Sequence, residues 1–146
     1  MSQKQPEVSL YISSASVDRD IADAVAQELE ARGMPVWSDR LINPARWDRQ
    51  IEKALEQARI FIFILSPAAL LSPWVTFELG VALSRSQKMG DIQVLPFFIR
   101  GFFPAALPLE LVKIQGIDLK DMQTPEAIRE IVRIAAATAD NPKNAP

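Results

Sequence analysis

The stretch Ile60-Phe61-Ile62-Phe63-Ile64-Leu65, closed by Ser66-Pro67, decides the fold. Its residues are apolar, β-branched or aromatic, and bounded by a turn signal, which reads as a strand. No polar residue alternates with them, so both faces are expected to be buried, as at the centre of a parallel sheet covered by helices on both sides. Downstream, a short segment Ala68 to Leu71 leads to Ser72-Pro73, an N-cap followed by proline at the first helical position. The helix is predicted to run to about Lys88, with Gly90 closing it. Ile92 to Ile99 reads as a fourth strand, in which Pro96 calls for a bulge or a missing ladder bond. Gly101 to Pro108 is an apolar loop, and Ile114 to Leu119, interrupted by Gly116, is a fifth strand. Thr124-Pro125-Glu126 starts the last helix, whose buried side carries Ile128, Ile131, Val132 and Ala135.

Upstream, Val8 to Ser13 is the first strand, with Leu10 and Ile12 on one face and Tyr11 on the other. Ser16 is the expected N-cap of the first helix, with Asp18 and Asp20 in its first turn. Ile21, Val25 and Leu29 repeat along its buried face beside Ala22 and Ala26, and Gly33 stops it. Pro35 to Ser38 is a second strand, a loop runs from Arg40 to Arg46, and a second helix places Trp47, Ile51, Leu55 and Ala58 on one face. Strands alternating with helices imply an α/β fold with right-handed parallel crossovers. The expected architecture is a flavodoxin-like, doubly wound five-stranded sheet of order 2-1-3-4-5.

The 146 residues fit one domain. Residues 1–7 are expected to be disordered, 8–138 to form the domain, and 139–146 to be a tail or a linker to a further domain. The chain has no histidine and no cysteine, which removes the commonest general base, thiol chemistry, disulfides and Cys/His zinc sites. The net charge of −2, with Lys and Arg scattered among acids, argues against nucleic acid as a partner. No run is long enough for a membrane helix, and the polar start lacks the apolar region of a signal peptide. A cytoplasmic protein acting away from the membrane is the expectation.

In such sheets ligands bind at the carboxyl ends of the strands, near the switch in strand order. Ser13, Ser14, Asp39 and Ser66 fall there, next to the start of the helix at Pro73. A P-loop is absent, serines stand where a dinucleotide fingerprint has glycines, and the aspartates of a phospho-receiver are missing after strands one and three. Trp74 and Glu78, at i and i+4, lie roughly 40° apart around the helix. Spacing places them to one side of the stripe Val75, Leu79, Leu83, where a solvated glutamate and a packing tryptophan are the plainer alternative.

The chain resembles a TIR (Toll/interleukin-1 receptor) domain from Val8 to about Ala137. The matching blocks are VSLYISSASVDRDIADAVAQELEARG, PVWSDRLINPARWDRQIEKALEQA, IFIFILSPAALLSPWVTFELGVAL with its S-x-W-x-x-x-E helix, and VLPFFI, in the family's order. The resemblance implies one of two activities: signalling by self-association, or cleavage of NAD+ between nicotinamide and ribose. For the second it puts the catalytic glutamate at Glu78 and its accompanying aromatic at Trp74. NAD+ is then substrate, and no cofactor or metal is implied. Ser13, Ser14 and Ser66 are expected to bind substrate, with turn and capping roles as the alternative for Ser13 and Ser14. Asp39, Arg40 and Trp47 flank the segment matching the BB loop, through which TIR domains contact one another, and are also expected at the substrate; Trp47 shares a face with Ile51 and Leu55 and suits a core anchor. Arg100 reads as a solvated charge or a phosphate contact, and Phe102 with Phe103 as an interface patch or a cap on the core.

The chain departs from the family at two places. It has Ser13-Ser14-Ala15-Ser16 where an aromatic and a basic residue are frequent, and Asn43-Pro44-Ala45-Arg46 where glycine often precedes the tryptophan. The leading expectation is an NAD+ hydrolase activated by self-assembly, the effector of a bacterial defence system joined to a C-terminal sensor. The alternatives are a non-catalytic scaffold for homotypic contacts and a nucleoside deoxyribosyltransferase-like enzyme.

Overall fold

The computed structural model describes residues 9–38, 49–90, 92–101 and 116–140, with the side chains of 49–52 left aside. Its strands are β1 (Leu10–Ser14), β2 (Val36–Ser38), β3 (Ile60–Leu65), β4 (Gln93–Phe98) and β5 (Ile117–Asp118). The helices are α1 (Arg19–Ala31), α2 (Arg49–Gln57), the short α3 (Pro67–Leu70), α4 (Pro73–Lys88) and α5 (Thr124–Ala139), with a 3-10 turn at Ser16–Asp18 before α1. The strands form one parallel sheet of order β2-β1-β3-β4-β5, the expected doubly wound order.

β3 explains the two-layered core. Ile60, Ile62 and Ile64 pack with Leu10 and Ile12 under α1 and α5. Phe61, Phe63 and Leu65 pack with Tyr11 under α2, α3 and α4. All six β3 residues are buried, because helices cover both faces of the sheet. Arg85 of α4 donates to the carbonyl of Ala58 at 2.8 Å and to that of Leu55, at the C-terminal end of α2. Its guanidinium lies 5.7 Å from the Phe61 ring centre, so it ties α2 and α4 together over the sheet.

The helix signals hold at most ends. The Ser72 hydroxyl accepts from the Val75 N–H at 3.3 Å, and Pro73 opens α4. Gly33, at φ 83°, ends α1 with the Met34 N–H donating back to Leu29 at 3.1 Å. Ser16 does not cap α1: it opens the 3-10 turn, and α1 starts at Arg19. The reason is Asp18, whose carboxylate is turned inward and buried rather than left in a solvated first turn.

Pro96 produces no bulge. β4 pairs residue for residue with β3, Phe63 opposite Pro96. The N–H groups of Gln93 and Ile99 donate to the β3 side, so Pro96, of opposite parity, directs its missing donor toward the β5 side. Among the described residues β5 pairs with Phe97 and Phe98, beyond the proline. The described part of β5 is shorter than expected, and residues 114 and 115 lie outside the described residues. Gly116 is explained by close approach, since a Cβ there would run into the Phe98 ring. Among the described residues no helix is long and apolar enough to cross a membrane. Gly116→Ala is expected to destabilise the chain by about 1–3 kcal/mol through overpacking, read by urea unfolding, and Phe98→Leu in the same chain should recover part of that loss.

Candidate functional site

β1 and α4 meet at the carboxyl end of the sheet, and their contact is polar. Alternation along β1 puts Tyr11 and Ser13 on the face covered by α4. From there the Ser13 hydroxyl donates to Glu78 Oε1 at 2.7 Å, and the Tyr11 hydroxyl donates to Glu78 Oε2. All three side chains have 0% exposure. Two hydroxyl donors on separate oxygens suit an ionised carboxylate, which accepts only. Burial of a carboxylate is strongly unfavourable unless such bonds are made.

This differs from the expected placement of Glu78. The helix buries Val75, Glu78, Leu79 and Ala82 together, so the glutamate lies on the sheet-facing side of α4 and not beside it. A solvated surface glutamate is thereby ruled out. Trp74, one turn earlier, is half-buried against the same core and stacks on Phe77, ring centres 6.2 Å apart at 28°. Tyr11, which sequence reasoning placed on the correct face, was not singled out there as a partner of the glutamate. The available signal was its i, i+2 relation to Ser13 on one strand.

A second polar cluster stands at the ends of β3 and β4. The Ser66 hydroxyl donates to Asp18 Oδ2 and accepts from the Ala69 N–H at 3.3 Å, capping α3. Arg100 donates to Asp18 Oδ1 at 2.9 Å, to the Val17 carbonyl at 3.1 Å and to Asp20 Oδ2 at 2.8 Å. Arg100 is therefore not a lone solvated charge; it clamps the end of β4 to the start of α1. It does so from a left-handed backbone at φ 53°, followed by Gly101 at φ 75°. At the end of β5, the hydrogen bond from the Lys120 ammonium holds the Asp118 carboxyl below the usual carboxylate range.

The convergence expected of the strand ends is thus divided. Ser13 joins Glu78, Ser66 joins Asp18, and Ser14 is half-buried as the last residue of β1. Asp39, Arg40 and Trp47, together with Phe102 and Phe103, lie outside the described residues. Among the described residues no group of three or more His, Cys, Asp or Glu is arranged to hold a metal ion.

A parallel 2-1-3-4-5 sheet with its polar residues gathered at the carboxyl edge defines a flavodoxin-like protein. Within that class the chain belongs to the TIR domain family, whose sequence model matches residues 10–132. No curated protein matches the chain significantly. Among solved structures it is similar to the TIR domain of the Toll-related receptor TRR-2 from Hydra magnipapillata, at 20% identity and TM-score 0.67, covering 90% of this chain and 98% of that one. It is similar to the TIR domains of the activated Roq1 resistosome directly recognizing the pathogen effector XopQ, at 16% identity and TM-score 0.70, covering 88% and 99%. It is also similar to a metazoan TIR-STING receptor from C. gigas in complex with 2′,3′-cGAMP, at 24% identity and TM-score 0.64, covering 90% of this chain but 41% of that receptor. At these identities the likeness is one of fold.

The Asp18 cluster yields a stability contrast. Arg100→Ala leaves the buried Asp18 without its cation and is expected to cost about 2 kcal/mol, between the values for exposed and fully buried pairs. Asp20→Ala, removing an exposed partner of the same guanidinium, should cost less than about 0.5 kcal/mol. Urea unfolding of the two variants measures both, and equal losses would show that Asp18 is not the anchor.

Proposed function

We propose that the chain is an NAD+ nucleosidase that cleaves the nicotinamide–ribose bond, with Glu78 as its catalytic carboxylate. The observation that carries this reading is Glu78 itself: a fully buried carboxylate, bonded by two hydroxyls, at the sheet's carboxyl edge. It stands in the S-x-W-x-x-x-E segment of a TIR domain.

The chemistry suits a site without histidine. The bond from ribose C1′ to the pyridinium nitrogen breaks, and its electron pair neutralises the nicotinamide, which leaves without needing a proton. Positive charge develops on the ribosyl centre, as in glycoside hydrolysis. One ionised carboxylate stabilises that charge, accepts bonds from the ribose hydroxyls and takes the proton of the water that adds at C1′. Glycosidases that must protonate their leaving group need a second carboxyl group; this reaction does not. Trp74 would wall the pocket, and Ser13, Ser14 and Ser66 would line the strand ends. Asp39, Arg40 and Trp47 would complete it from the segment between β2 and α2.

Because Glu78 has no exposed surface, substrate reaches it only after a rearrangement. Self-assembly is the proposed trigger. The Roq1 TIR domains belong to an activated resistosome, and an assembled state of this chain, through contacts of its BB-loop segment, would open the pocket. On this reading the protein is a cytoplasmic effector of a bacterial defence system, fused or bound to a sensor beyond its C-terminus. The product is ADP-ribose or a cyclic form.

The test follows nicotinamide release from NAD+ by the full chain, dilute and then clustered on a surface or by a crowding agent. Clustering is expected to raise turnover, and Glu78→Gln to lower it by about 100-fold or more. Self-association without NAD+ loss, unchanged by Glu78→Gln, would identify a non-catalytic scaffold instead.

A further inference from the structure

The chain contains one tyrosine, and it is fully buried. Tyr11 packs on this sheet face with Phe61, Phe63 and Leu65, its ring 6.0 Å from that of Phe61 at 45°. Packing alone asks for phenylalanine there, since a buried hydroxyl without a partner is unfavourable. The Tyr11 hydroxyl instead reaches across to α4 and donates to Glu78 Oε2.

Its effect is geometric. The terminal torsion of a glutamate is broad and roughly two-fold, so a carboxylate held at one oxygen still swings. Here both oxygens are held from a single rigid strand: Oε1 by Ser13, at 2.7 Å, and Oε2 by Tyr11. Residues 11 and 13 have parallel partners in β3, Phe61 and Phe63, so the two donors are fixed in the middle of the sheet.

We propose that Tyr11 is the positioning residue of the site: it fixes the plane of the Glu78 carboxylate, with Ser13 as the second strut, in the orientation that meets the ribose. The proposal rests on the reading of Glu78 as the catalytic carboxylate. Tyr11 does not touch the reacting atoms; it acts through Glu78.

Tyr11→Phe keeps the ring and removes only the donor, so it tests the proposal in a chain that retains its packing. Two readouts are needed. In the first, clustered full-length wild type, Tyr11→Phe, Ser13→Ala and Glu78→Gln are compared for nicotinamide release from NAD+. Tyr11→Phe is expected to lower kcat about 10- to 100-fold, as for misplacement of a catalytic group by about an ångström, while KM changes less than about two-fold. A merely structural tyrosine would reduce the fraction of folded protein and leave kcat per folded chain unchanged, and that result overturns the proposal. In the second, tyrosine labelled with carbon-13 at Cζ alone gives a single signal, which needs no assignment because the tyrosine is unique. Glu78→Gln is expected to shift it by removing the charged acceptor, whether or not the chain turns over NAD+. An unmoved signal overturns the Tyr11–Glu78 contact itself. Wild-type turnover that survives Tyr11→Phe but not Glu78→Gln sinks the role of Tyr11 and spares that of Glu78. A shifted signal in a wild type that releases no nicotinamide sinks the nucleosidase reading, and the positioning role with it, while the contact stands.

Discussion

A parallel sheet with helices on both faces leaves its central strand no side that reaches water, and this constraint shapes the rest of the molecule. β3 is apolar at every position because it has no alternative. The same constraint makes buried polar residues informative. Among the described residues the buried polar side chains are Ser13, Asp18, Ser38, Ser66 and Glu78. Four of them form the two clusters at the carboxyl edge: Ser13 with Glu78, and Ser66 with Asp18. Each buried carboxylate is met by hydroxyl donors, and Asp18 also by Arg100, as the cost of burying a charge requires.

The two clusters divide the work at that edge. Asp18, Ser66 and Arg100 join the ends of β3 and β4 to the start of α1, with the guanidinium spanning both acids of the α1 entrance. This is an anchoring arrangement: its hydrogen bonds are internal, and the cation is engaged from a backbone conformation that a non-glycine residue seldom adopts. Tyr11, Ser13 and Glu78 join β1 to α4 among the apolar side chains of that face. Polar networks that exceed what packing requires are where function is sought first.

The sequence made most of this fold legible, because the deciding signals are local. An uninterrupted apolar run defined β3, and Ser72-Pro73 marked the first residues of α4. Period-2 alternation assigned Leu10, Ile12 and Tyr11 to their faces. The departures all come from contacts distant in sequence. Ser16 lost its capping role because Asp18 is drawn inward by Ser66 and Arg100, which lie 48 and 82 residues away. Pro96 was tolerated without a bulge because its missing donor falls on the side away from β3, so the β3–β4 ladder loses no bond there. Helical spacing placed Glu78 at the margin of the apolar stripe; a partner 67 residues away, Tyr11, draws it into the buried face. Motif spacing found the carboxylate, and only the fold supplied the groups that hold it.

The central claim is that this buried, two-point-held carboxylate is the group that meets the ribose of NAD+. The most direct measurement is a structure of the clustered full chain bound to a non-cleavable NAD+ analogue in which carbon replaces the ribose ring oxygen. The account predicts ribose hydroxyls bonded to Glu78, with the Tyr11 and Ser13 bonds retained. An analogue bound elsewhere, with Glu78 still sealed beneath α4, would contradict it.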